Sequence, residues 1–407
     1  MPERKRILIL TADAGFGHRS AAEAIESALR DRYGAACVIE TVNPLDSAHT
    51  PGWLRDSQSD YDRLARELPD LYRAGYDLSD GTLLAGMVEN ALRTLLYRTL
   101  RETLDRSRPD VIISTYPLYQ AALGAVFALT ATYVPLICVV TDLATVHRLW
   151  FSDDADLTVV PTPQVYTLAV DAGLPPDKLA IIGIPVHPRL SEDQRSKSEL
   201  RAELGWDPSL ITLLAVGSKR VAAMDEVLNV LNHSGLPLQL ALVAGGDTAR
   251  FEEWARTAWH RPVHRYNFVK NMPALMRAAD CILCKAGGLI VTEALAAGLP
   301  MLLTDVIPGQ ETGNAEYVID GEAGDMADDP IGALETLCHW LLDDARLLKT
   351  RSANAARLGR PRAAYDIAEH AWRLAQHGPQ HRESNQIVGL PRLIELFRRF
   401  NVTWKEE

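Results

Sequence analysis

Short apolar runs typical of β-strands alternate with helical runs along most of this sequence, and this alternation constrains the fold more than any other feature. Residues 7–10, 111–114 and 136–140 have the strand pattern in the first half, and the same order restarts at 210–216 in the second half. Strands that alternate with helices form parallel sheets covered on both faces. The sequence therefore predicts an α/β protein with two doubly wound, Rossmann-like domains.

The length of the chain agrees with this division, because 407 residues exceed the usual size of a single core. The alternation breaks at 183–196, where two prolines precede a polar run. We expect a first domain over 1–190, a second over 191–377, and a linker with a last helix over 378–407 that can pack back on the first domain. Ligands of such sheets bind outside the carboxyl ends of the strands, so the cleft between the domains is the expected site.

Composition and charge exclude several classes of protein. Hydrophobic residues make up 47% of the chain and charged residues 23%, and no apolar run approaches the ~20 residues that span a bilayer, so a globular protein without a transmembrane helix is expected. The net charge of −11 argues against a nucleic-acid partner. The N-terminus lacks the apolar core of a signal peptide, and five scattered cysteines do not suggest a disulfide framework. A cytoplasmic location is therefore expected, and Cys281 and Cys284, inside a strand pattern, are expected to be buried thiols.

A long amphipathic helix is predicted over 83–106, where leucines recur at helical spacing and Arg93, Arg98 and Arg101 occupy the other side. Two interpretations remain open. The helix packs on the core of the first domain with its arginines in solvent, or it lies on anionic lipid with its apolar side down.

The stretch 11–20 has the pattern of a strand that enters a glycine loop and then a helix, and His18 lies where that helix begins. The positive end of the helix dipole lowers the pKa of a histidine at this position and favours the neutral imidazole. A neutral imidazole is what a general base requires, so His18 is a candidate catalytic residue. The alternative is a capping or surface histidine.

Two stretches of the second half carry further chemistry. Gly287 and Gly288 open a helix directly after a strand, which suits a phosphate, and Glu293 lies further along that helix. Its carboxylate could accept hydrogen bonds from a ribose diol or could simply face solvent. Gln310 and Glu311, in a loop after the next strand, supply donors and acceptors for the hydroxyls of a sugar.

Six motifs follow one another in a fixed order from residue 7 to about residue 320. They are Gly-x-Gly-His-Arg-Ser-Ala-Ala-Glu-Ala at 15–24, Val-Thr-Asp at 140–142 with His147 and Trp150, Gly-Ile-Pro-Val at 183–186, Phe-Val-Lys-Asn-Met at 268–272, Lys-Ala-Gly-Gly at 285–288 with Glu293, and Pro-Gly-Gln-Glu at 308–311 with Asn314. This ordered set resembles the monogalactosyldiacylglycerol synthases and the processive diacylglycerol glucosyltransferases.

The resemblance implies a GT-B fold and an inverting transfer of galactose or glucose from a UDP-sugar to diacylglycerol or a related lipid, which gives a β-glycolipid. It implies no metal and no cofactor, since the UDP-sugar is the donor substrate. It also implies a peripheral enzyme on the anionic inner face of the cell membrane. The first domain would face the acceptor and the membrane, and the second would bind the donor.

The resemblance also implies a role for each matching residue. His18 would be the catalytic base, and Asp142, His147 and Trp150 would lie on the acceptor side. The donor-binding residues would be Gly17, Gly217, Ser218, Lys219, Phe268, Val269, Gly287, Gly288, Leu289, Glu293, Gln310 and Glu311.

One departure from the family pattern leaves the substrate open. The family often has a glycine-rich turn after the first strand of the second domain, whereas this chain has Ala-Val-Gly-Ser-Lys-Arg-Val at 215–221. A transferase of the same fold that acts on a lipid-linked peptidoglycan precursor or a soluble aglycone is therefore the alternative. A nicotinamide-dependent oxidoreductase is disfavoured, because Ser20 occupies the third glycine position of the dinucleotide fingerprint.

Overall fold

Two six-stranded parallel sheets organise the protein, one in each of two units. The computed structural model describes residues 4–14, 17–52, 54–55, 82–130, 132–217, 224–307 and 311–381. One unit runs through His187 and resumes at Arg362, and the other spans Pro188–Pro361. The prediction of an α/β protein with two doubly wound sheets is confirmed.

The order in which strands are added to the first sheet reverses beside β1. Its unit contains β1 Lys5–Leu10, β2 Cys37–Val42, β3 Val111–Ser114, β4 Thr132–Tyr133, β5 Leu136–Val139, β6 Leu157–Val160, β7 Leu179–Ile181, α1 Gly17–Tyr33, α2 Thr82–Ser107, α3 Gln120–Thr130 and α4 Pro163–Asp171. The order in the sheet is β2-β1-β3-β5-β6-β7, so the chain leaves β1 toward one side and returns on the other at β3. The crevice at such a switch point is where open α/β sheets bind ligands.

The second sheet repeats this arrangement around β8. It contains β8 Ile211–Val216, β9 Leu238–Val243, β10 Val263–Tyr266, β11 Cys281–Cys284, β12 Met301–Leu303 and β13 Gly324–Met326, in the order β10-β9-β8-β11-β12-β13. Its helices are α5 Arg189–Glu192, α6 Lys197–Leu204, α7 Met224–His233, α8 Thr248–Arg256, α9 Met272–Ala278, α10 Gly288–Ala296, α11 Thr312–Asp320 and α12 Pro330–Leu358. The switch point lies between β8 and β11. Cys281 and Cys284 are buried free thiols, as the apolar pattern predicts.

The boundary expected near residue 377 differs from the one observed. Helix α13 Ala363–His377 packs on α1 in the first unit, and β14 Gln380–His381 pairs with β4. The hydroxyl of Tyr365 donates to Asp31 Oδ2 at 2.8 Å, and Trp372 stacks on Tyr33 with ring centroids 4.4 Å apart. The segment 363–377 therefore belongs to the first unit, and the second ends at Pro361. The last helix predicted near 390–400 lies outside the described residues.

Side chains of β1 alternate between two apolar layers that cover the first sheet. Leu8 and Leu10 are buried against α2 and α3, whereas Ile7 and Ile9 are buried against α1 and α13. This is the pattern of a strand buried on both faces, and it explains the continuous apolar run in the sequence.

The helix predicted over 83–106 is α2, and its described apolar side chains lie in the core. Leu92, Leu96 and Leu100 are buried in the first unit, and Arg98 pairs with Glu102 on the other side of the helix. This agrees with the core-packing interpretation. From residue 92 onward, the apolar side of α2 is not available to lipid.

Candidate active site

The candidate site of the first unit lies where the neighbouring strands β1, β3 and β5 end. His18 is in the first turn of α1, which follows β1. The hydroxyl of Thr115, just after β3, donates to the carbonyl oxygen of His18 at 3.0 Å. The hydroxyl of Thr141, just after β5, lies 2.7 Å from His18 Nδ1. Residues that follow three neighbouring strands therefore position His18.

His18 is a neutral imidazole with one ring nitrogen engaged. Its ring meets Tyr116 edge-on at 4.9 Å and lies 6.0 Å from the ring of Trp150. Burial in this setting lowers the pKa of His18 to about 4, so the imidazole is uncharged at pH 7. When Nδ1–H donates to Thr141, Nε2 is the nitrogen that can accept a proton. The backbone of Thr115 also hydrogen-bonds to the ring, which opposes the lowering of the pKa. The predicted direction of the pKa shift is correct, and burial is its main cause.

The three residues expected on the acceptor side are close to one another, and Trp150 lies beside the imidazole of His18. The indole N–H of Trp150 donates to Asp142 Oδ2 at 2.6 Å, and Trp150 is fully buried. Burial raises the pKa of Asp142 to about 6, against the opposing effect of the bond from Trp150. His147 Nδ1 accepts the backbone N–H of Leu149 at 3.1 Å and so caps the short helical turn that positions Trp150.

An ion pair that sequence reasoning missed ties the loop after β1 to the first turn of α1. The guanidinium of Arg19 donates twice to the carboxylate of Asp13, with Nη2 to Oδ2 at 2.8 Å. The side chain of Asn43 donates to the same carboxylate at 3.3 Å. Arg19 is the neighbour of His18 in the chain, so the pair helps to hold the first turn of α1, in which His18 lies. Polar residues directly after β3 and β5 were the signal in the sequence for Thr115 and Thr141.

The candidate site of the second unit is built around the first turn of α10. Gly287 is the residue before the helix, and no side chain caps the helix. The preceding loop is held on both sides, since the N–H of Ala286 donates to Asp305 O at 2.9 Å and Asn314 Nδ2 donates to Ala286 O at 3.0 Å. Gly288 and Leu289 lie in the first turn, whose backbone N–H groups are suited to an anion.

A buried ion pair between Lys285 and Glu311 lies against Gly287. The ammonium of Lys285 donates to Glu311 Oε1, and Glu311 Oε2 accepts the N–H of Ile307 at 3.1 Å. A Cβ on Gly287 would lie 3.2 Å from Lys285 Cε and 3.5 Å from Glu311 Oε1. The glycine therefore allows the lysine side chain to pass close to the start of the helix.

Glu293 lies in the second turn of α10. Burial raises its pKa to about 7. In the part of the chain that the structure describes, no side chain or backbone group hydrogen-bonds to its carboxylate. Such a carboxyl group is free to bind polar groups of a ligand.

The remaining donor-side residues are distributed over both units. Phe268 follows β10 and is 71% exposed, with Val269 half-buried beside it. Gly217 follows β8 and donates its N–H to Val243 O at 2.8 Å. Gly17, expected on the donor side, begins α1 in the first unit. Ser218, Lys219 and Gln310 lie outside the described residues.

The described residues contain neither a metal-binding group of side chains nor a membrane-spanning helix. Within the ranges that the structure describes, no three His, Cys, Asp or Glu side chains group so that they could hold a metal ion. None of the described helices combines the length and the hydropathy of a membrane-spanning segment.

Known proteins resemble this chain at two levels. Residues 18–186 match the family model for monogalactosyldiacylglycerol (MGDG) synthase, and residues 212–344 match that for glycosyl transferases group 1. The probable monogalactosyldiacylglycerol synthase 2 of Oryza sativa subsp. indica is 32% identical over 383 residues, which cover 91% of this chain and 81% of that protein.

Solved structures with low sequence identity share the fold. The glycotransferase of kitacinnamycin matches with a TM-score of 0.59 and 15% identity over 92% of this chain and 100% of that chain. Acinetobacter baumannii MurG matches with a TM-score of 0.56 and 14% identity over 91% of this chain and 100% of that chain. The chain therefore belongs to the monogalactosyldiacylglycerol synthase family and has the GT-B fold of glycosyltransferases.

Proposed function

We propose that the protein transfers a hexose from a UDP-sugar to the free hydroxyl of diacylglycerol with inversion, which forms a β-glycolipid. The observation that carries this proposal is His18, a neutral imidazole fixed through Nδ1 at the switch point of the first sheet. The names of the relatives favour UDP-galactose as donor, with UDP-glucose as the alternative. They also favour a lipid acceptor over a peptidoglycan precursor or a soluble aglycone.

In this reaction His18 Nε2 accepts the proton of the acceptor hydroxyl while the hydroxyl oxygen attacks the anomeric carbon. The bond from that carbon to the diphosphate breaks, and UDP leaves with the bonding electrons. Its growing negative charge is stabilised by the N–H groups and dipole of α10 at Gly288. A single displacement needs no covalent intermediate on the protein, and a general base typically contributes ~10²–10⁴ in rate.

The second unit binds the donor in this proposal. Glu293 accepts hydrogen bonds from the ribose hydroxyls, Glu311 with Gln310 contacts the hexose, and Phe268 borders the uracil. Gly217 with Ser218 and Lys219 contributes the loop after β8. Asp142, His147 and Trp150 shape the acceptor side in the first unit.

The acceptor also determines where the enzyme works. Diacylglycerol is dissolved in a bilayer, so the enzyme acts as a peripheral protein, and we place it at the anionic inner face of the cell membrane. The UDP-sugar is the only small molecule that the reaction requires, without a metal-dependent step.

The test is transfer of radiolabel from UDP-galactose or UDP-glucose into the organic phase, with diacylglycerol presented in vesicles. We expect label in the lipid with the wild type, retained in EDTA and increased by anionic lipid. His18→Ala should lower transfer about 10²- to 10⁴-fold while UDP affinity by calorimetry stays unchanged.

The matched control is His377→Ala, at an exposed position of α13, which should keep wild-type transfer. If His18→Ala keeps most of its turnover, the assignment of the base is wrong. If the wild type binds UDP-sugar but labels no lipid with either donor, the acceptor belongs to the alternative class.

A further inference from the structure

The ion pair between Lys285 and Glu311 occupies the position at which a nucleoside diphosphate sugar would bind. Lys285 directly follows β11 and Glu311 directly precedes α11. The two side chains are only 18% and 6% exposed. The nitrogen of Lys285 lies 3.5 Å from the place of a Cβ on Gly287, the residue directly before α10. The ammonium therefore adds a full positive charge beside the positive end of that helix.

Both oxygens of Glu311 are occupied in this state. Oε1 accepts from Lys285, and Oε2 accepts the backbone N–H of Ile307 at 3.1 Å. Each oxygen can accept a second hydrogen bond, but a sugar hydroxyl that donates to Oε1 competes with the ammonium of Lys285 for the negative charge of the carboxylate. Lysine has three N–H donors on a flexible stem, so its bond to Glu311 is the one that can be exchanged most easily.

The backbone next to Lys285 is held by two hydrogen bonds at Ala286, so the exchange is a movement of the lysine side chain. Asn314 holds the carbonyl of Ala286 at 3.0 Å, and the N–H of Ala286 donates to Asp305 O at 2.9 Å. Gly287 leaves the space into which the lysine stem can turn.

We propose that donor binding exchanges the partner of Lys285. On the proposed function, the diphosphate at the start of α10 takes the Lys285 ammonium, and Glu311 Oε1 is released to accept a hydrogen bond from a hydroxyl of the hexose. The sugar-binding carboxylate is thus completed only when a diphosphate is present. The pair makes the second unit selective for a sugar attached to a diphosphate over either component alone.

Two predictions about binding affinity follow. UDP alone must separate Lys285 from a buried carboxylate that then has no sugar to bind, so removal of the charge of Glu311 should tighten UDP binding. Conversely, UDP should increase the affinity for a free hexose, because coupling between two ligands is reciprocal.

Calorimetry on the full chain, with UDP and UDP-galactose as ligands, tests the first prediction. Glu311→Gln keeps an oxygen for the N–H of Ile307, and we expect it to bind UDP about threefold to tenfold more tightly than the wild type while the gain in affinity from the hexose is lost. Lys285→Gln should weaken UDP and UDP-galactose alike, by about tenfold or more. Thermal melting checks that each variant is folded.

The second prediction, that UDP increases the affinity for a free hexose, can be tested on the wild type alone. Saturation-transfer NMR should detect galactose binding to the wild type at least about fivefold more tightly with UDP present than without it. The exchange is overturned if Glu311→Gln weakens UDP as Lys285→Gln does, or if UDP leaves galactose binding unchanged. A wild type that binds neither UDP nor UDP-galactose would instead contradict the proposed function itself.

Discussion

At the scale of single residues, His18 and Glu293 lie in surroundings that disfavour their charged forms. Burial lowers the pKa of His18 to about 4 and raises that of Glu293 to about 7. At pH 7 the histidine is therefore a neutral base, whereas the glutamate is about half ionised. Hydroxyl donors stabilise the ionised carboxylate, so ribose binding should complete its ionisation.

This shift predicts that Glu293 costs stability at high pH. An unfolded glutamate loses its proton near pH 4.3, but the folded one keeps it to about pH 7, so the cost grows between these values and then stays constant. Its upper limit is about 4 kcal/mol, from 1.36 kcal/mol per pKa unit over the difference between 4.3 and about 7. We expect Glu293→Gln to unfold at higher urea than the wild type at pH 8 and at the same urea at pH 4.

Glu335→Gln, at an exposed position of α12, is the matched control and should show no such pH dependence. Equal stability of Glu293→Gln and the wild type at pH 8 would mean that the carboxylate is solvated or paired in solution.

Sequence position alone identified His18 and Glu293 as candidates, because a residue after a strand and a glycine loop lies at the ligand-binding edge of the sheet. It did not identify Thr141, which lies 123 residues from His18 in the chain. That contact depends on which strands are neighbours, and the order β1-β3-β5 is a property of the assembled sheet.

At the scale of elements, helix α10, to which we assign donor binding, packs against the end of α12. Helical periodicity runs through residues 330–376 of the sequence, but it does not indicate where this stretch divides into separate helices. The structure breaks it at Asp343, Asp344 and Ala345, which have left-handed backbone angles, and again at Gly359. The break at 343–345 contains neither glycine nor proline, and good helix formers flank it, so local propensity could not predict it.

Gly359 lies so close to α10 that a methyl group there has no space. A Cβ would lie 2.2 Å from Leu295 O and 3.0 Å from Ala296 Cα, and backbone atoms cannot rotate away. We expect Gly359→Ala to destabilise the second unit by about 1–3 kcal/mol, the usual cost of overpacking, and to lower its melting temperature.

Gly332→Ala, in the first turn of α12, provides the comparison. Its nearest neighbour would be Asp329 Oδ1 at 3.8 Å, so alanine should be neutral or stabilising by up to about 1 kcal/mol. If the two variants melt alike, the close contact of Gly359 with α10 does not exist in solution.

At the scale of the whole molecule, each unit has its own sheet and its own apolar core. The division into two α/β domains was predictable, because the strand and helix pattern restarts after residue 196. The place of α13 was not, because periodicity identifies a helix without identifying the sheet on which it packs. Ile367 and Ala371 complete the layer that covers Ile7 and Ile9.

This organisation predicts that the segment 188–361 folds when produced alone. It is uninterrupted in sequence and contains β8 to β13 with the helices that cover them. We expect a cooperative melt by circular dichroism and a UDP affinity equal to that of the full chain.

A chain that ends at residue 361 should behave differently, because it lacks the helix over Ile7 and Ile9. We expect its second unit to remain folded and its first unit to lose its cooperative melt. An unfolded 188–361 segment would contradict the assignment of an independent core.

The return of α13 to the first unit also sets an order of events during synthesis on the ribosome. The second unit is complete once residue 361 has emerged, but the first unit still lacks α13 at that moment. At ~5–20 residues per second, the apolar surface around Ile7 and Ile9 stays uncovered for roughly 10 to 40 s after residue 187, until α13 has been synthesised. The later half of the protein therefore matures first, and the nascent earlier half presents a transient binding surface for chaperones.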